Sequence, residues 1–405
     1  MSTGVLVVGA GQAAAQLAQS LREGGWSDPI HVVGEEPIGP YQRPPLSKAY
    51  LAGEADRESL ELRDPSYYEE HDITVVTGER VEEISLDAGG GGAARTSTGR
   101  RLDFAHLVLA TGAEPRSLGL PGFDGPGVHL MRDLDDADRL AGSLATAHDV
   151  VVVGGGFIGL EAAAVARARG CEVTVLEAAD RLLGRAAPVR ISSHVESHHR
   201  ARGIDIRLGA RVVGIEEVDG RLAVILDGDE TLPADLVVVG VGAVPRTELA
   251  EALGAAVDGG IVVDTCTRTS LPDVYAIGDC TNGGHVEFPG RMESVQNAID
   301  QAKTCASTIL GGEEPYATVP FFWSDQADLH LQMAGVIAPG DDLVERVGDD
   351  DIAVLAFRDG IFHGVATVNR PRDFMVGRRA LAKGQRLDRS RLEDVGVPLR
   401  DLLIT

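Results

Sequence analysis

Two glycine-rich loops, each directly after an apolar run, constrain the fold of this chain more than any other feature. They span residues 5–14 and 150–159, and an alanine-rich segment follows each of them. The first fits G-x-G-x-x-A and the second G-x-G-x-x-G, and their pattern positions are Gly9, Gly11 and Ala14, then Gly154, Gly156 and Gly159. In this motif the glycines allow a tight turn, close approach of a pyrophosphate and close helix–strand packing. The sequence therefore predicts two strand–turn–helix units that each hold a dinucleotide, and electron transfer between the two cofactors is the simplest reason for such a pairing.

A carboxylate follows each loop at the predicted end of the next strand. These residues are Glu35 and Glu177. A carboxylate at this place accepts a hydrogen bond from a ribose hydroxyl. Glutamate would also repel a 2′-phosphate, so Glu177 predicts a preference for NADH over NADPH. Arg181 and Arg185 follow closely and leave the degree of that preference open.

The order of predicted elements indicates an α/β fold with an internal duplication. Residues 4–33 and 150–177 both predict strand, helix and strand, and residues 107–112 and 236–242 predict buried strands that run into glycine turns. Residues 89–92 predict a hairpin tip. The prolines of residues 40–48 predict a loop without helix before Ser47. From about Pro320 the pattern indicates an antiparallel sheet, followed by a helix marked by residues 374–383.

Composition and charge exclude several functional classes. The 405 residues carry a net charge of −25, which disfavours nucleic acid or an anionic membrane as partner. No apolar run approaches the roughly 18 residues of a membrane span, and the first residues enter a strand directly, so we expect a cytoplasmic protein. The eleven histidines lie singly or in an exposed-looking stretch at 194–199, and no metal-ligand spacing or G-x-S-x-G elbow occurs.

The cysteines do not indicate a dithiol relay. None of the four belongs to a C-x-x-C pair, and they are Cys171, Cys266, Cys280 and Cys305. A redox relay needs two close thiols. We expect all four to be small buried apolar residues.

Four further features allow two interpretations each. Lys48 is either a solvated lysine or part of a site, and Glu161, placed on the first turn of its helix, is either a helix-dipole partner or catalytic. Trp323 belongs either to the core or to a platform beside a flat cofactor. Residues 370–391 contain eight basic residues against two acidic ones, which indicates a solvated helix or a dock for an acidic protein.

Several stretches together resemble one family, the NADH-dependent, FAD-containing ferredoxin reductases of bacterial oxygenase systems. The resemblance runs from Gly9 to about Pro371. Beyond the two loops it rests on residues 43–53, 109–112, 276–279, 293–298, 322–326 and 367–371. It implies a glutathione-reductase-like fold with two Rossmann-type domains and a small α+β C-terminal domain. The implied boundaries are 1–115 with 247–319 for FAD, 116–246 for NAD, and 320–405 for the C-terminal domain.

The resemblance also implies roles for individual residues. Lys48 and Glu161 would sit together beside the flavin N5 edge, and Trp323 would lie close to the isoalloxazine. The residues implied for FAD are Gly9, Gly11, Ala13, Ala14, Glu35, Arg43, Lys48, Val81, Thr111, Gly112, Arg132, Asp279, Val295 and Trp323. Those implied for NADH are Gly154, Gly156, Phe157, Ile158, Gly159 and Glu177. Phe157 stands where the family often has tyrosine, so this side chain cannot fill a role that needs the tyrosine hydroxyl group.

The activity implied by the resemblance is electron transfer from NADH through FAD to a small acidic ferredoxin that feeds a cytochrome P450 or a Rieske dioxygenase. We expect the ferredoxin to dock near Trp323 and the basic segment Arg370–Arg391, with no metal bound by the chain itself. Two alternatives stay open: an NADH-dependent flavoprotein that reduces a quinone or O₂, and an apoptosis-inducing-factor-like redox-sensing flavoprotein. Related oxidases and disulfide reductases carry a redox cysteine after the first acidic residue, and residues 36–48 contain none.

Overall fold

A computed structural model describes residues 4–288 and 290–404. The described chain separates into two compact units. The first comprises residues 4–42, 57–114 and 244–318, and the second comprises residues 43–56, 115–243 and 319–404. In the described part of the chain, no helix is long and apolar enough to cross a membrane.

Helices and strands are numbered in chain order. The first group is β1 (Val5–Val8), α1 (Gln12–Glu23), β2 (Ile30–Val33), α2 (Ala49–Ala52), α3 (Pro65–Glu70), β3 (Ile73–Val76), β4 (Val81–Leu86), β5 (Gly92–Thr96), β6 (Arg101–Phe104), β7 (His106–Leu109) and β8 (Ala113–Pro115). The second is β9 (Val128–His129), α4 (Leu134–Leu144), β10 (Asp149–Val153), α5 (Phe157–Ala168), β11 (Glu172–Glu177), α6 (Val189–Ala201), β12 (Asp205–Leu208), β13 (Val212–Val218), β14 (Arg221–Leu226), β15 (Thr231–Ala234), β16 (Leu236–Val239) and β17 (Ala243–Pro245). The third is α7 (Glu248–Ala252), β18 (Ile261–Val263), β19 (Val274–Ala276), β20 (Thr281–Gly283), α8 (Val295–Ile309), β21 (Phe321–Gln326), β22 (Leu329–Gly335), β23 (Asp342–Val347), β24 (Ile352–Arg358), β25 (Ile361–Val368), α9 (Pro371–Ala382), β26 (Arg386–Leu387) and β27 (Leu403–Ile404).

The first unit is built around a parallel sheet with strand order β19-β7-β1-β2-β3. Both faces of this sheet are covered, so its strands are continuous apolar runs, and all four residues of β1 are buried. Helices α1 and α8 pack on one face, and the antiparallel hairpins β4–β6 cover the other. The spacing of Ala14, Leu17, Ala18 and Leu21 gives α1 a single buried stripe.

The second unit repeats this plan. Its parallel sheet has the order β12-β11-β10-β16-β9, and the antiparallel strands β13–β15 pack against one face. Strands β12, β11, β10 and β16 correspond in order to β3, β2, β1 and β7, whereas the fifth strand comes from a different place in the chain. The predicted internal duplication is therefore seen in four of the five strand positions.

The C-terminal part of the second unit is an antiparallel sheet with the order β21-β22-β25-β24-β23. Helix α9 packs on it through a core that includes Phe374 and Val365. The buried guanidinium of Arg346 donates to Asp373 and to the carbonyls of Leu392 and Val397, which ties the last residues to the sheet. The antiparallel sheet that the sequence predicted is confirmed.

Two local predictions are wrong, and the predicted C-terminal helix is confirmed with an earlier start. Pro44–Ser47 form a 3₁₀ turn, because prolines at the start of a helical turn lose no hydrogen bond there. Helix α9 begins at Pro371 for the same reason, three residues before the predicted mark. Glu161 lies in the second turn of α5, since this helix begins at Phe157.

Candidate functional site

The first glycine loop is shaped by its own backbone. Gly9 follows β1 with a φ of +109°, and its N–H donates to the carbonyl of Val33 at 2.8 Å. A Cβ atom on Gly9 would lie 2.1 Å from the carbonyl oxygen of Ala110, so only glycine fits. At Gly11 the place of a Cβ atom has no neighbour within 4 Å. The backbone beside Gly11 is therefore open to a ligand.

The second loop repeats these features in the second unit. Gly154 has a φ of +108°, donates to the carbonyl of Leu176 at 2.8 Å, and faces the carbonyl oxygen of Gly240. A Cβ atom on Gly154 would lie 2.4 Å from that oxygen, while at Gly156 the nearest atom would be 3.7 Å away. A Cβ atom on Gly159 would lie 2.2 Å from the carbonyl oxygen of Gly154, so this glycine allows helix and strand to pack closely.

Both loops end in helices whose first turns keep free donors. Gly11 is the N-cap of α1 and Gly156 the N-cap of α5, and neither N-terminus is closed by a side-chain hydrogen bond in the described structure. The first N–H groups and the positive dipole end of each helix therefore face the open backbone of its loop. This donor set fits the pyrophosphate of a dinucleotide in both units.

Glu177 lies against the second loop. Its Oε2 accepts from the N–H of Gly155 at 2.7 Å, and its Oε1 accepts from the N–H of Ala179 at 2.8 Å. Arg181 donates to the carbonyl of Ala187 and to Ser192 Oγ, so its guanidinium is already engaged within the chain. A fixed negative charge beside the loop suits a ribose with a free 2′-hydroxyl and disfavours a 2′-phosphate.

Glu35 does not occupy the position that corresponds to Glu177. The hydrogen bonds that anchor the two loops to β2 and β11 align Gly34 with Glu177, so Glu35 comes one residue later. Its carboxylate pairs with Arg246, whose guanidinium also lies 3.7 Å from Glu114. The two acids that sequence reasoning treated alike therefore have different surroundings.

A buried carboxylate forms the polar centre of the second unit. Glu161 is 2% exposed. Its Oε2 lies 2.7 Å from Lys48 Nζ and accepts from Ser47 Oγ at 2.5 Å, while its Oε1 accepts from Ser324 Oγ at 2.5 Å. Lys48 also donates to the carbonyl of Pro44 at 3.1 Å. Three donors thus converge on one carboxylate, and this offsets much of the cost of burying its charge.

The 3₁₀ turn Pro44–Ser47 explains how two of these donors reach Glu161. The turn ends at Ser47, and Lys48 follows as the N-cap of α2. Because the turn packs against α5, both side chains can reach Glu161 on that helix. The structure therefore brings Lys48 and Glu161 together. Their action on a flavin stays a prediction.

The aromatic residues near this centre divide between the two faces of β21. Phe322 faces the same side as Ser324, and its ring centre lies 4.4 Å from that of Phe157. Trp323 points to the opposite face, where its half-buried ring lies 6.0 Å from that of Phe321. The role predicted for Trp323 beside the isoalloxazine stays a prediction.

The other residues implied for FAD lie in both units. In the first, Ala13 and Val81 are buried, and Thr111 Oγ1 donates to the carbonyl of Arg246 at 2.7 Å. In the second, Arg43 donates to the carbonyl of Arg132 at 2.9 Å. Gly112, Asp279 and Val295 belong to the first unit, and the cofactor contacts of this whole group stay predictions.

All four cysteines are buried and reduced, as expected. Burial raises the pKa of the thiols of Cys171 and Cys280, and it raises the pKa of Cys305 to about 12. A thiol exchanges through its thiolate form, so these side chains are poor candidates for disulfide chemistry.

The histidine stretch was predicted to be exposed, but His194 and His198 are half-buried and His199 is buried, so the prediction is wrong, most clearly for His199. This side chain is 1% exposed, and burial lowers its pKa. Its Nε2 lies 2.8 Å from Oε1 of Gln326. Among the described residues, no group of three or more histidine, cysteine, aspartate or glutamate side chains is placed to hold a metal ion.

Three arginines of the basic segment 370–391 contact other side chains of the protein. Arg370 pairs with Asp351 and Asp373, and Arg378 lies with its guanidinium 3.9 Å from the ring centre of Phe321. Arg389 pairs with Asp342. The remaining basic side chains are exposed, and they are Arg372, Arg379, Lys383, Arg386 and Arg391.

Sequence reasoning missed three polar partners of the candidate site. Ser47 precedes Lys48, and Ser324 lies inside the stretch 322–326 that carried the resemblance, so both could have been singled out by position. Arg246, the partner of Glu35, belongs to the Pro-Arg that follows residues 236–242, as Pro115-Arg116 follows residues 107–112, but this repeat does not indicate the distant Glu35 as its partner.

The fold and these loops define a class: oxidoreductases with two related dinucleotide-binding domains and an added C-terminal domain. Residues 3–302 match the pyridine nucleotide-disulphide oxidoreductase family, and residues 321–403 match the reductase C-terminal family. The chain belongs to the pyridine nucleotide-disulphide oxidoreductase family. The glutathione-reductase-like fold predicted from sequence is confirmed.

Full-length relatives narrow this class. The chain is 42% identical to rhodocoxin reductase of Rhodococcus erythropolis, over 98% of this chain and 93% of the relative. Its structure is similar to that of the ferredoxin reductase for the CYP199A2 system of Rhodopseudomonas palustris, with a TM-score of 0.93, 39% identity, and coverage of 98% and 99% of the two chains. It is equally similar to putidaredoxin reductase in a covalent complex with putidaredoxin, with a TM-score of 0.93, 37% identity, and coverage of 99% and 98%.

Proposed function

We propose that this chain is an NADH:ferredoxin oxidoreductase, which uses FAD to pass electrons from NADH to a small iron–sulfur ferredoxin that serves an oxygenase. The observation that carries this proposal is the repeated loop geometry. Gly9 and Gly154 have the same backbone conformation and face equivalent carbonyl oxygens, and each is followed by an uncapped helix N-terminus. Two dinucleotide sites in one chain are what electron transfer between two cofactors requires.

The similar proteins support both the proposed activity, which is a reductase activity, and the proposed electron acceptor, which is a ferredoxin. Proteins named as ferredoxin reductases match this chain over nearly their whole length, including that of the p-cumate 2,3-dioxygenase system. One related structure holds putidaredoxin reductase joined covalently to putidaredoxin. The buried cysteines add to this support, since a dithiol mechanism would need accessible paired thiols.

The residues of this chain would bind and orient the cofactors. When bound, NADH supplies a hydride, and FAD accepts two electrons and releases them one at a time. The first loop, with Gly9 and Gly11, would hold the FAD pyrophosphate, and the second, with Gly154 and Gly156, would hold that of NADH. Lys48 and Glu161 would set the electrostatic field around the flavin, and the burial of the Glu161 carboxylate makes that field stronger than it would be in water.

One set of assays separates this proposal from its alternatives. The purified, FAD-loaded protein is mixed with NADH and offered a ferredoxin, a quinone or O₂. Fast turnover with ferredoxin supports the proposal, whereas a preference for quinone or O₂ supports a small-molecule reductase. A long-lived NADH–flavin charge-transfer band with negligible turnover supports a redox-sensing flavoprotein.

Removal of the Glu177 carboxylate is expected to weaken discrimination between NADH and NADPH. In Glu177→Ala the negative charge beside the loop is lost, and so are the hydrogen bonds to Gly155 and Ala179. The ratio of kcat/KM for NADH to that for NADPH should fall by about tenfold, which corresponds to the loss of one charged hydrogen bond and one repulsion.

Glu172→Ala is the matched control, because Glu172 stands at the other end of the same strand and is exposed. This variant should keep the wild-type ratio. An unchanged ratio in Glu177→Ala would remove the role of Glu177 in coenzyme choice.

We further propose that an acidic ferredoxin docks on the exposed part of the basic segment near Trp323. The net charge of the chain is −25, so this positive surface contrasts with the rest of the molecule. Opposite charges raise the rate of encounter, and they do so most at low ionic strength. Arg378 is engaged with Phe321, so the exposed side chains of Arg379 and Lys383 are the better positions to test.

Charge reversal at these two positions is expected to slow the reduction of ferredoxin but not of a dye. In Arg379→Glu/Lys383→Glu, kcat/KM for ferredoxin should fall by about a factor of 10 to 100 at low salt, and the difference from wild type should shrink as salt rises. Reduction of ferricyanide by NADH should keep its rate, because a small acceptor needs no docking surface.

Arg80→Glu/Arg95→Glu is the control, since both arginines are exposed and belong to the first unit. It changes the net charge by the same amount at residues outside the basic segment. Equal slowing of ferredoxin and dye reduction in the test variant, or equal effects of the two variants, would exclude docking at this segment.

A further inference from the structure

Three buried polar side chains of the second unit have no part in the function proposed above. Ser324 and Gln326 alternate on one face of β21, and His199 lies in the last turn of α6. Their exposed fractions are 0%, 1% and 1%. Buried polar groups cost free energy unless each is hydrogen-bonded, so each of these side chains needs a partner inside the protein.

These side chains form one continuous line of hydrogen bonds that ends on Glu161. His199 Nε2 lies 2.8 Å from Gln326 Oε1. Gln326 Nε2 donates to Ser324 Oγ at 3.2 Å, and Ser324 Oγ donates to Glu161 Oε1 at 2.5 Å. On the far side of the carboxylate, Lys48 Nζ lies 2.7 Å from Oε2.

Every hydrogen bond of this line is donated in the same direction, from His199 toward Glu161. An ionised carboxylate only accepts, so the hydroxyl of Ser324 must donate to Glu161, and its oxygen is then free to accept from the Gln326 amide. The carbonyl oxygen of that amide in turn accepts, so His199 must carry its hydrogen on Nε2. Burial lowers the pKa of His199, which favours the neutral ring in this one tautomer.

The line also joins segments that are far apart in sequence. His199 comes from helix α6, whereas Ser324 and Gln326 come from strand β21 of the C-terminal sheet. A single displaced member would leave a buried donor or acceptor without its partner. Apolar residues of the same size could fill this space, so the retained polarity indicates a demand for a fixed orientation.

We propose that Ser324, Gln326 and His199 are positioning residues that hold the Glu161 carboxylate, and through it Lys48, in one orientation. This inference rests on the proposed role of Lys48 and Glu161 in setting the field around the flavin. Gln326 and His199 act only through Ser324, whose hydroxyl they lock toward Glu161. Loss of any member frees the hydroxyl of Ser324 or removes it. The Glu161 carboxylate is then held only at Oε2, by Ser47 and Lys48, and its orientation and that of the Lys48 ammonium group become less fixed.

The test compares variants that break the line with one that keeps it. Ser324→Ala removes the last donor, Gln326→Leu removes the middle link at similar size, and His199→Leu removes the first donor. His199→Gln keeps an N–H donor and is the conservative rescue. His198→Leu is the control, because His198 is the preceding residue of α6 and its hydrogen bonds go to Asp328 and Arg202, outside the line.

The first readout is the rate of flavin reduction at saturating NADH, measured by stopped flow, together with the apparent KM for NADH. Ser324→Ala and Gln326→Leu should lower the saturating rate by about tenfold and His199→Leu by about fivefold, with KM changed by less than about twofold. His199→Gln and His198→Leu should keep the wild-type rate. A purely structural role would lower melting temperature without this split between rate and KM.

The second readout does not depend on activity. In ¹⁵N-histidine NMR, the His199 ring, assigned by its loss in His199→Gln, should show hydrogen on Nε2, and its signal should shift in Ser324→Ala. Hydrogen on Nδ1, or wild-type reduction rates in both Ser324→Ala and Gln326→Leu, would overturn the inference.

A parallel variant separates this inference from the function on which it rests. If Glu161→Gln slows flavin reduction but Ser324→Ala and Gln326→Leu do not, only the positioning role fails. If Glu161→Gln also keeps the wild-type rate, the proposed role of the Lys48–Glu161 pair fails as well, and the positioning role fails with it. A wild-type protein whose flavin NADH does not reduce would contradict the proposed function itself.

Discussion

Gly9→Ala is expected to give a chain that no longer retains FAD and folds poorly. The added Cβ atom would lie 2.1 Å from the carbonyl oxygen of Ala110, on a residue whose φ is +109°. Neither β1 nor the turn after β7 can move without breaking the parallel sheet. We expect a loss of about 4 kcal/mol or more in the free energy of unfolding, as for other overpacked and strained positions. Flavin absorbance of the purified protein and thermal unfolding measure the two effects.

Two companion variants separate the effect of the steric clash in Gly9→Ala from the effect of the positive φ and from the effect of a methyl group on cofactor binding. Gly25→Ala adds a Cβ atom at a φ of +91° with no neighbour within 4 Å, so it should cost only about 1–2 kcal/mol from the backbone conformation. Gly11→Ala meets no atom of the protein and has an ordinary φ of −98°, so it should leave stability unchanged. Gly11→Ala should nevertheless weaken FAD binding strongly, because the methyl group occupies the open backbone where a pyrophosphate would approach.

The same change in the second loop is expected to lower stability for the same reason, and of the two cofactors to affect NADH alone. In Gly154→Ala the Cβ atom would lie 2.4 Å from the carbonyl oxygen of Gly240. The protein should stay yellow and be reduced by dithionite but not by NADH. If Gly154→Ala lost its flavin while Gly9→Ala kept it, the assignment of the loops to FAD and NADH would have to be reversed.

Removal of one partner of the Lys48–Glu161 pair is expected to destabilise the protein more than removal of both. Lys48→Met leaves a carboxylate that is 2% exposed with two hydroxyl donors but no cation. Breaking a buried ion pair in this way costs about 3 kcal/mol. Glu161→Leu should cost less, about 2 kcal/mol, because Lys48 is partly exposed and keeps the carbonyl of Pro44. The double variant should return to within about 1 kcal/mol of wild type, since no unpaired charge stays buried.

Activity should follow a different pattern in the same variants. If the pair tunes the flavin, then the double variant regains stability but not the rate of flavin reduction by NADH. We expect all three variants to be slowed by about a hundredfold, a loss of the size seen when one electrostatic group of an active site is removed. Urea unfolding and stopped-flow flavin reduction on the same protein samples measure both patterns.

The exposed pair Arg101–Asp103 is the matched control for this cycle. Its side chains are 72% and 57% exposed, and their charged atoms lie 2.8 Å apart. Its coupling energy should be about 0.5 kcal/mol or less, because water screens an exposed pair. A Lys48–Glu161 coupling of the same small size would show that burial does not strengthen this contact. A double variant with the wild-type reduction rate would remove the pair from the mechanism.

The glycine loops were predictable because their constraints are local. A positive φ, a close carbonyl and the start of a helix all arise within a few residues, and Gly9 and Gly154 satisfy them in the same way. Side chains alternate between the two faces of a strand, so the sequence could have placed Ser324 and Gln326 on one face of β21. It could not have shown which residues pack against that face, and these come from α5 and α6.

Predictions that needed an exact register or a burial state were less successful. Glu35 and Glu177 looked equivalent, but the anchoring hydrogen bonds place them one residue apart. His199 looked exposed because its neighbours are polar, yet it points inward from α6. A one-residue shift or a rotation of 100° about a helix axis changes the surroundings of a side chain completely, and composition does not report either.

The sequence by itself determined the duplicated α/β plan, the two dinucleotide loops and the absence of a cysteine pair of the C-x-x-C type. These depend on short-range sterics and on the order of apolar runs. Only the tertiary structure decided that Lys48, Ser47 and Ser324 converge on Glu161, that Arg246 pairs with Glu35, and that His199 is buried. Such contacts join residues far apart along the chain, and burial makes each of them strong because the charges meet away from water.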